Sequence, residues 1–208
     1  MTLIWLALAW GIWCGLHSLL IHPPVEQRLS AAIGRWQESY RLLYNLFALL
    51  TLAPVGALYF VADPSPVLLW PSWLKSLQWL CWGAVAALTY AAARVYDMPA
   101  FLGIRHLRRV GDARGGTQAP GGAGLAMTGV LSHSRHPWYL AGFLLLWSRD
   151  LAARDLVTNC LLTAYLLIGI WLEERKLLRQ FGDAYQAYRQ QVPMLWRWRR
   201  ARSERRDV

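Results

Sequence analysis

Long uncharged runs alternate along the chain with short segments that hold nearly all of its charges. Residues 3–21 form the first such run, long enough at 1.5 Å per residue to cross about 30 Å of hydrocarbon as a helix. Residues 42–62 form a second and residues 77–93 a third, the latter set between Pro64, Pro66 and Pro71 on one side and Arg94 on the other. Residues 138–147 are too few to cross alone. They either extend back through residues 132–137 or form one arm of a shallow hairpin with residues 156–172, and the hairpin is the expected arrangement. The pattern predicts an all-α, polytopic membrane bundle of about five transmembrane helices, followed by an amphipathic helix on the cytoplasmic side. A cleaved signal peptide would need a basic segment before residues 3–21 and small residues after them, and neither is present.

Composition supports this reading. Of 208 residues, 56% are hydrophobic and only 16% charged, against roughly a quarter charged in a soluble domain. The net charge of +10 could suggest nucleic acid, but the arginines lie beside the apolar runs, where they set topology and touch anionic lipid. Arg28, Arg35 and Arg41 follow the first run, Lys75 alone separates the second from the third, and Arg94, Arg105, Arg108, Arg109, Arg114 and Arg135 follow the third. Arg149 and Arg154 are offset by Asp150 and Asp155, and the tail is arginine-rich. The positive-inside rule then places the N-terminus outside and the C-terminus in the cytoplasm. Membrane lipid, not nucleic acid, is the expected partner. Cys14, Cys81 and Cys160 are too dispersed for a zinc cluster, and no metal site is expected.

Two segments carry candidate chemistry. Residues 125–142, LAMTGVLSHSRHPWYLAG, place Arg135, His136 and Tyr139 at the cytoplasmic entrance of the fourth run. Pro137 suits a first helical turn, whose free N–H groups beside Arg135 would suit a ligand carboxylate. Residues 171–193, WLEERKLLRQFGDAYQAYRQQVP, begin where the fifth run leaves the membrane. Glu174, Leu178, Phe181, Tyr185, Tyr188 and Val192 recur there at intervals of four and three and form one stripe. Of the adjacent Glu173 and Glu174, costly if dry at a membrane boundary, at least one is expected to have a polar or cationic partner. The glycine-rich residues 115–124 lack a P-loop ending and are read as a flexible linker, with a mobile lid as the alternative.

Taken singly, His136 could be an interface histidine, the tyrosines an aromatic belt and the glutamates a solvated face. Together they offer an anion site, a carboxylate pair and aromatic faces, the three features that S-adenosylmethionine needs for its carboxylate, ribose and sulfonium. On the N-terminal side, His17 lies within the first run, and Arg41 and Asn45 share a helix face at the start of the second. His17 and Arg41 are the acceptor-side candidates, with interhelical hydrogen bonding as their ordinary role.

Thr128-Gly129-Val130, Arg135-His136-Pro137-Trp138-Tyr139, Glu173-Glu174, Phe181-Gly182, Tyr185, Tyr188 and Val192-Pro193 together resemble the membrane methyltransferases typified by isoprenylcysteine carboxyl methyltransferase. The likeness covers about the C-terminal 80 residues. It implies a single helical domain over residues 1–208, with a three-helix part at 1–96 and an S-adenosylmethionine site in 125–193 formed by Arg135, His136, Tyr139, Gly142, Glu173 and Glu174. Within that family, Tyr96-Asp97-Met98, Phe101-Leu102-Gly103-Ile104-Arg105 and the GDAYQAYRQQVPML ending are most similar to bacterial methanethiol S-methyltransferases, which implies a bacterial inner-membrane enzyme with a small or lipophilic acceptor, such as a thiol. His17-Ser18 and the YRLLYN stretch from Tyr40 to Asn45 are also similar to NnrU-type membrane proteins linked to denitrification. That likeness implies the alternative, a non-enzymatic factor in denitrification or cofactor assembly, and its haem-binding form would draw on His17 and His22. Two departures stand out: Ala141 holds the family glycine position, with Gly142 one place later, and Ile168-Gly169-Ile170 replaces an arginine of the prenylcysteine enzymes. The missing arginine argues against a prenylcysteine carboxylate as substrate.

Overall fold

The computed structural model describes residues 1–104 and 128–196, and the glycine-rich residues 115–124 lie outside them. Seven α-helices are seen among the described residues: α1 (Thr2–Leu20), α2 (Pro23–Ala32), α3 (Tyr40–Val61), α4 (Lys75–Val95), α5 (Met98–Leu102), α6 (Pro137–Trp147) and α7 (Ala153–Gln191). The first three apolar runs thus become α1, α3 and α4, with ends within two residues of those expected. Three helices, α1, α3 and α7, are both long and apolar enough to cross a membrane. At 21 residues α4 matches them in length, but its tryptophans and glutamine make it less apolar. The 11 residues of α6 extend only about 16 Å.

Local chemistry sets several helix ends. Pro23 and Pro24 open α2 at its first turn, where a missing N–H costs nothing. The Asp97 carboxylate accepts from the Ala100 N–H at 3.0 Å to start α5, and Gly103 ends it at φ 76°. A side chain there would bring its Cβ within 2.5 Å of the Leu42 nitrogen on α3, so glycine lets α5 lie against that helix.

By contact the helices run in the order α3, α1, α7, α6, α4. Trp10 Nε1 donates to Thr158 Oγ1 at 3.1 Å and Trp13 Nε1 to the Ala48 carbonyl at 3.0 Å, tying α1 to both of its neighbours. Residues 148–152 join α6 to α7, so the expected hairpin is present. The alternative, a helix running back through residues 132–137, is not: a 3-10 turn spans Gly129–Ser132 and α6 begins at Pro137.

Two features depart from the sequence reading. A short antiparallel pairing of β1 (Pro66–Leu68) with β2 (Leu151–Ala152) joins two loops, a small exception to the all-α expectation. In addition, the fifth run and the amphipathic segment are one helix of 39 residues, interrupted at Gly182 (φ 52°, ψ −126°) and not at the membrane boundary.

Burial follows no water-soluble pattern: polar residues share the interior with Leu6, Val55 and Ala92, and many large apolar side chains lie outside. Ser134, His136, Ser148, Asp155, Thr158 and Asn159 are buried, while Ile4, Ile12, Leu50, Phe60, Trp79 and Leu80 are exposed. Apolar surface on this scale marks a membrane contact.

Candidate functional site

The break at Gly182 folds the end of α7 back on itself. Tyr185, Tyr188 and Val192 form a buried cluster with Leu177, Leu178 and Phe181, all but Leu177 belonging to the stripe expected from the sequence. The chain beyond α7 then meets the entrance of α6: the N–H groups of Arg135 and His136 donate to the carbonyls of Pro193 and Met194, each at 3.1 Å. Those two donors lie just ahead of the first turn of α6 and are satisfied by this junction. Tyr188 secures the same junction by donating to the Leu131 carbonyl at 2.6 Å.

Glu174 is the centre of the polar cluster. Its Oε1 accepts from His136 Nε2 at 2.8 Å and from the Tyr185 hydroxyl at 2.6 Å. Its Oε2 pairs with Arg135 at 2.9 Å and with Arg189 Nε at 3.1 Å. A carboxylate can only accept, so the Nε2 of His136 must carry a proton. Four donors leave Glu174 saturated, with its side chain 12% exposed.

Glu173 differs from its neighbour. Its side chain is 38% exposed, and its Oε2 lies 3.7 Å from His136 Nδ1, beyond hydrogen-bonding distance. Tyr139 neighbours the Glu173 carboxylate and packs edge-on against the His136 ring at 5.4 Å. Beside them, burial and then the negative charge of Glu173 push the Tyr96 phenol up to about 12, so Tyr96 remains a neutral hydroxyl. Its ring meets that of Trp138 at 6.2 Å. Arg135 Nε is buried without a hydrogen-bond partner among the described residues.

Arg135, His136, Tyr139, Glu173 and Glu174 are thus brought together. Gly142 is not among them: it lies one turn further along α6, where a Cβ would come within 3.3 Å of Leu166 on α7, and its smallness serves helix packing. Sequence reasoning missed Gly169, on which the Tyr139 ring rests, with 3.2 Å to a Cβ placed there. It also missed Tyr185 and Arg189 as partners of Glu174. The glycine in Ile168-Gly169-Ile170 was a usable signal for close approach; the Glu174 partners depend on the Gly182 break.

His17 and Arg41 lie elsewhere. The Tyr44 hydroxyl lies 2.7 and 2.8 Å from the two ring nitrogens of His17, and the imidazole stacks on Trp13 at 4.9 Å. Ser18 donates to the Tyr165 hydroxyl at 3.1 Å, and Tyr165 approaches His17 edge-on at 6.3 Å. Arg41 reaches the Ala100 carbonyl at 3.4 Å. His22 is the N-cap of α2, on a different element from His17.

Several curated proteins are similar to this chain. Methanethiol S-methyltransferase 2 of Bradyrhizobium diazoefficiens is 30% identical over 188 residues, covering 86% of this chain and 67% of that protein. Methanethiol S-methyltransferase 1 of the same organism is 43% identical over 68 residues, 32% of this chain and 24% of that one. A methanethiol S-methyltransferase of a Pseudomonas species is 42% identical over 62 residues, 29% of this chain and 24% of its own length. For two of these three, the match spans about a quarter of the relative's length. No solved structure matches the chain. The NnrU protein family profile matches residues 5–201, nearly the whole sequence, and the chain belongs to that family.

Proposed function

We propose that this chain is a membrane methyltransferase that uses S-adenosylmethionine and acts on a thiol. The observation that carries the reading is the unequal pair of glutamates: a saturated Glu174 holds Arg135 and His136 in place, while Glu173 is left partly open beside Tyr139 and Tyr96. The surrounding groups fit the donor. The partnerless Arg135 Nε suits the donor's carboxylate, Glu173 suits its ribose hydroxyls, and the aromatic faces of Tyr139 and Tyr96 suit a sulfonium. Relatives named as thiol methyltransferases point the same way.

The donor supplies a methyl group already activated on sulfur, so the chain's residues have to bind, align and exclude water. Arg135 and Glu173 hold charged and polar ends; the packed faces of α6 and α7 keep the site dry. His17 and Arg41 are the acceptor side in this reading, with the Tyr44–His17 pair able to take the proton that a thiol must lose.

In the same proposal α4 and α6 join α1, α3 and α7 within a bacterial inner membrane. The N-terminus is outside and the C-terminus in the cytoplasm, following the arginine asymmetry. The test is binding of S-adenosylhomocysteine to the detergent-solubilised chain. A ligand of the folded state raises the melting temperature as its concentration rises; no shift and no calorimetric heat would return the chain to a non-enzymatic role.

A further inference from the structure

A cavity of about 200 Å³ opens between α2, α3, α7 and Ile21, the residue that caps α1, and is lined among others by Glu26, Tyr40, Arg41, Tyr44 and Lys176. It is smaller than pockets that take drug-sized ligands, so its occupant has only a few heavy atoms. Its polar lining holds two cations and one carboxylate, and Ile21 and Pro23 add an apolar lip. Tyr44 forms part of the wall, and its hydroxyl is the one bonded to His17.

The face of α7 connects this cavity to the Glu173 cluster. Tyr165, Gly169, Glu173 and Lys176 follow one another at steps of four, four and three, the spacing of a single helix face. Tyr165 stands against His17, Gly169 carries Tyr139, Glu173 faces His136, and Lys176 reaches the cavity. The cavity therefore lies within one helical turn of the carboxylate assigned to the methyl donor.

We propose that the cavity binds the methyl acceptor, and that the acceptor is a small thiol bearing both a carboxylate and an ammonium group, a thiol-containing amino acid. The inference rests on the methyltransferase reading. Arg41 and Lys176 take the carboxylate, Glu26 takes the ammonium, and the thiol arm lies along Tyr44. An uncharged thiol would gain nothing from these three charged groups, whereas a thiol-containing amino acid adds a charge-assisted contact to each. In the transfer, the acceptor sulfur loses its proton through Tyr44 to His17 and bonds to the methyl carbon. The bond from that carbon to the donor sulfonium breaks with its electron pair on the donor sulfur. Two thioethers and one proton result.

The experiment uses the full chain in neutral phosphatidylcholine nanodiscs, labelled methyl donor, and three acceptors: homocysteine, 3-mercaptopropionate and ethanethiol. The expected order of kcat/KM follows that list, with roughly tenfold or more lost for each charged partner removed. Arg41→Gln with Lys176→Gln should lower the homocysteine to ethanethiol ratio, and Glu26→Gln should erase the advantage of homocysteine over 3-mercaptopropionate. S-adenosylhomocysteine binding, measured on each preparation, reports whether the fold and donor site survive. Calorimetry with homocysteine alone reads the cavity without turnover. A chain that binds S-adenosylhomocysteine but uses ethanethiol as well as homocysteine overturns this inference and leaves the methyltransferase reading standing. A chain that binds homocysteine but not S-adenosylhomocysteine overturns the methyltransferase reading and, with it, the cavity's role as an acceptor site, leaving only an amino-acid binding site. The carboxylate-binding chemistry would equally suit an anionic headgroup, so phosphatidylglycerol is added to the nanodiscs. Phosphatidylglycerol binding that disappears with Arg41→Gln and Lys176→Gln, with no homocysteine binding in neutral nanodiscs, would assign the two cations to lipid and overturn the acceptor site.

Discussion

Adjacent glutamates with different surroundings should respond differently to the same substitution. Glu174→Gln removes one charge from a cluster of Arg135, His136, Tyr185 and Arg189; loss of one partner from a buried ion pair costs about 3–5 kcal/mol. The expected result is a large fall in melting temperature in detergent. Glu173→Gln, at a side chain 38% exposed, should leave melting nearly unchanged and weaken S-adenosylhomocysteine binding by about 0.5–3 kcal/mol, read by calorimetry. The opposite division of effects would exchange the roles assigned here. Gly103→Ala gives a third contrast: about 1–2 kcal/mol for the left-handed backbone, plus the clash with the Leu42 backbone, with no part of the Glu173 site involved. The pair of glutamates was legible in the sequence because two carboxylates at a membrane edge demand partners. Which of them receives those partners was not, because Tyr185 and Arg189 arrive through tertiary folding.

For helices, apolar runs proved readable and continuity did not. The starts and ends of α1, α3 and α4 follow from where charge and proline interrupt hydrophobic sequence. In α7 nothing between Leu172 and Glu173 breaks a helix, so polarity changes while the backbone continues. The break comes at Gly182, where no neighbour lies within 4 Å of a Cβ position and φ is +52°; glycine is needed there for its backbone alone. Gly182→Ala should therefore destabilise the return of residues 185–192 without creating a steric clash. Hydrogen exchange should show faster exchange in that segment, together with weaker S-adenosylhomocysteine binding as Tyr185 leaves Glu174. Unchanged protection would mean that the hydrophobic cluster alone directs the turn. The small β1–β2 pairing had no sequence signal of its own, since five residues in two loops carry no period.

At the scale of the whole molecule, two polar belts among the described residues lie about one bilayer thickness apart. At one end Asp155 pairs with Arg149 at 3.0 Å and accepts from Tyr59, while the N–H groups of Ala153 and Arg154 donate to the carbonyls of Ser65 and Asp63. At the other end Glu174 gathers its four donors. The nineteen helical steps from Asp155 to Glu174 span roughly 29 Å at 1.5 Å each, close to the hydrocarbon thickness of about 30 Å. The Asp155 belt includes the loop between α3 and α4, which holds no basic residue before Lys75 at the start of α4, and Lys75 pairs with Asp150 at 2.9 Å. The Glu174 belt has Arg135, Arg175, Lys176, Arg179 and Arg189 on or beside it. Because cytoplasmic segments carry the excess of basic residues, the Glu174 end should face the cytoplasm. A reporter fused after Val208 should then read as cytoplasmic, and one inserted at Pro66 should read on the opposite side. Both reporters on one side would refute the proposed crossing of α4 or α6 with their neighbours, and exchanged sides would place the methyl-donor site away from the cytoplasmic supply of its ligand.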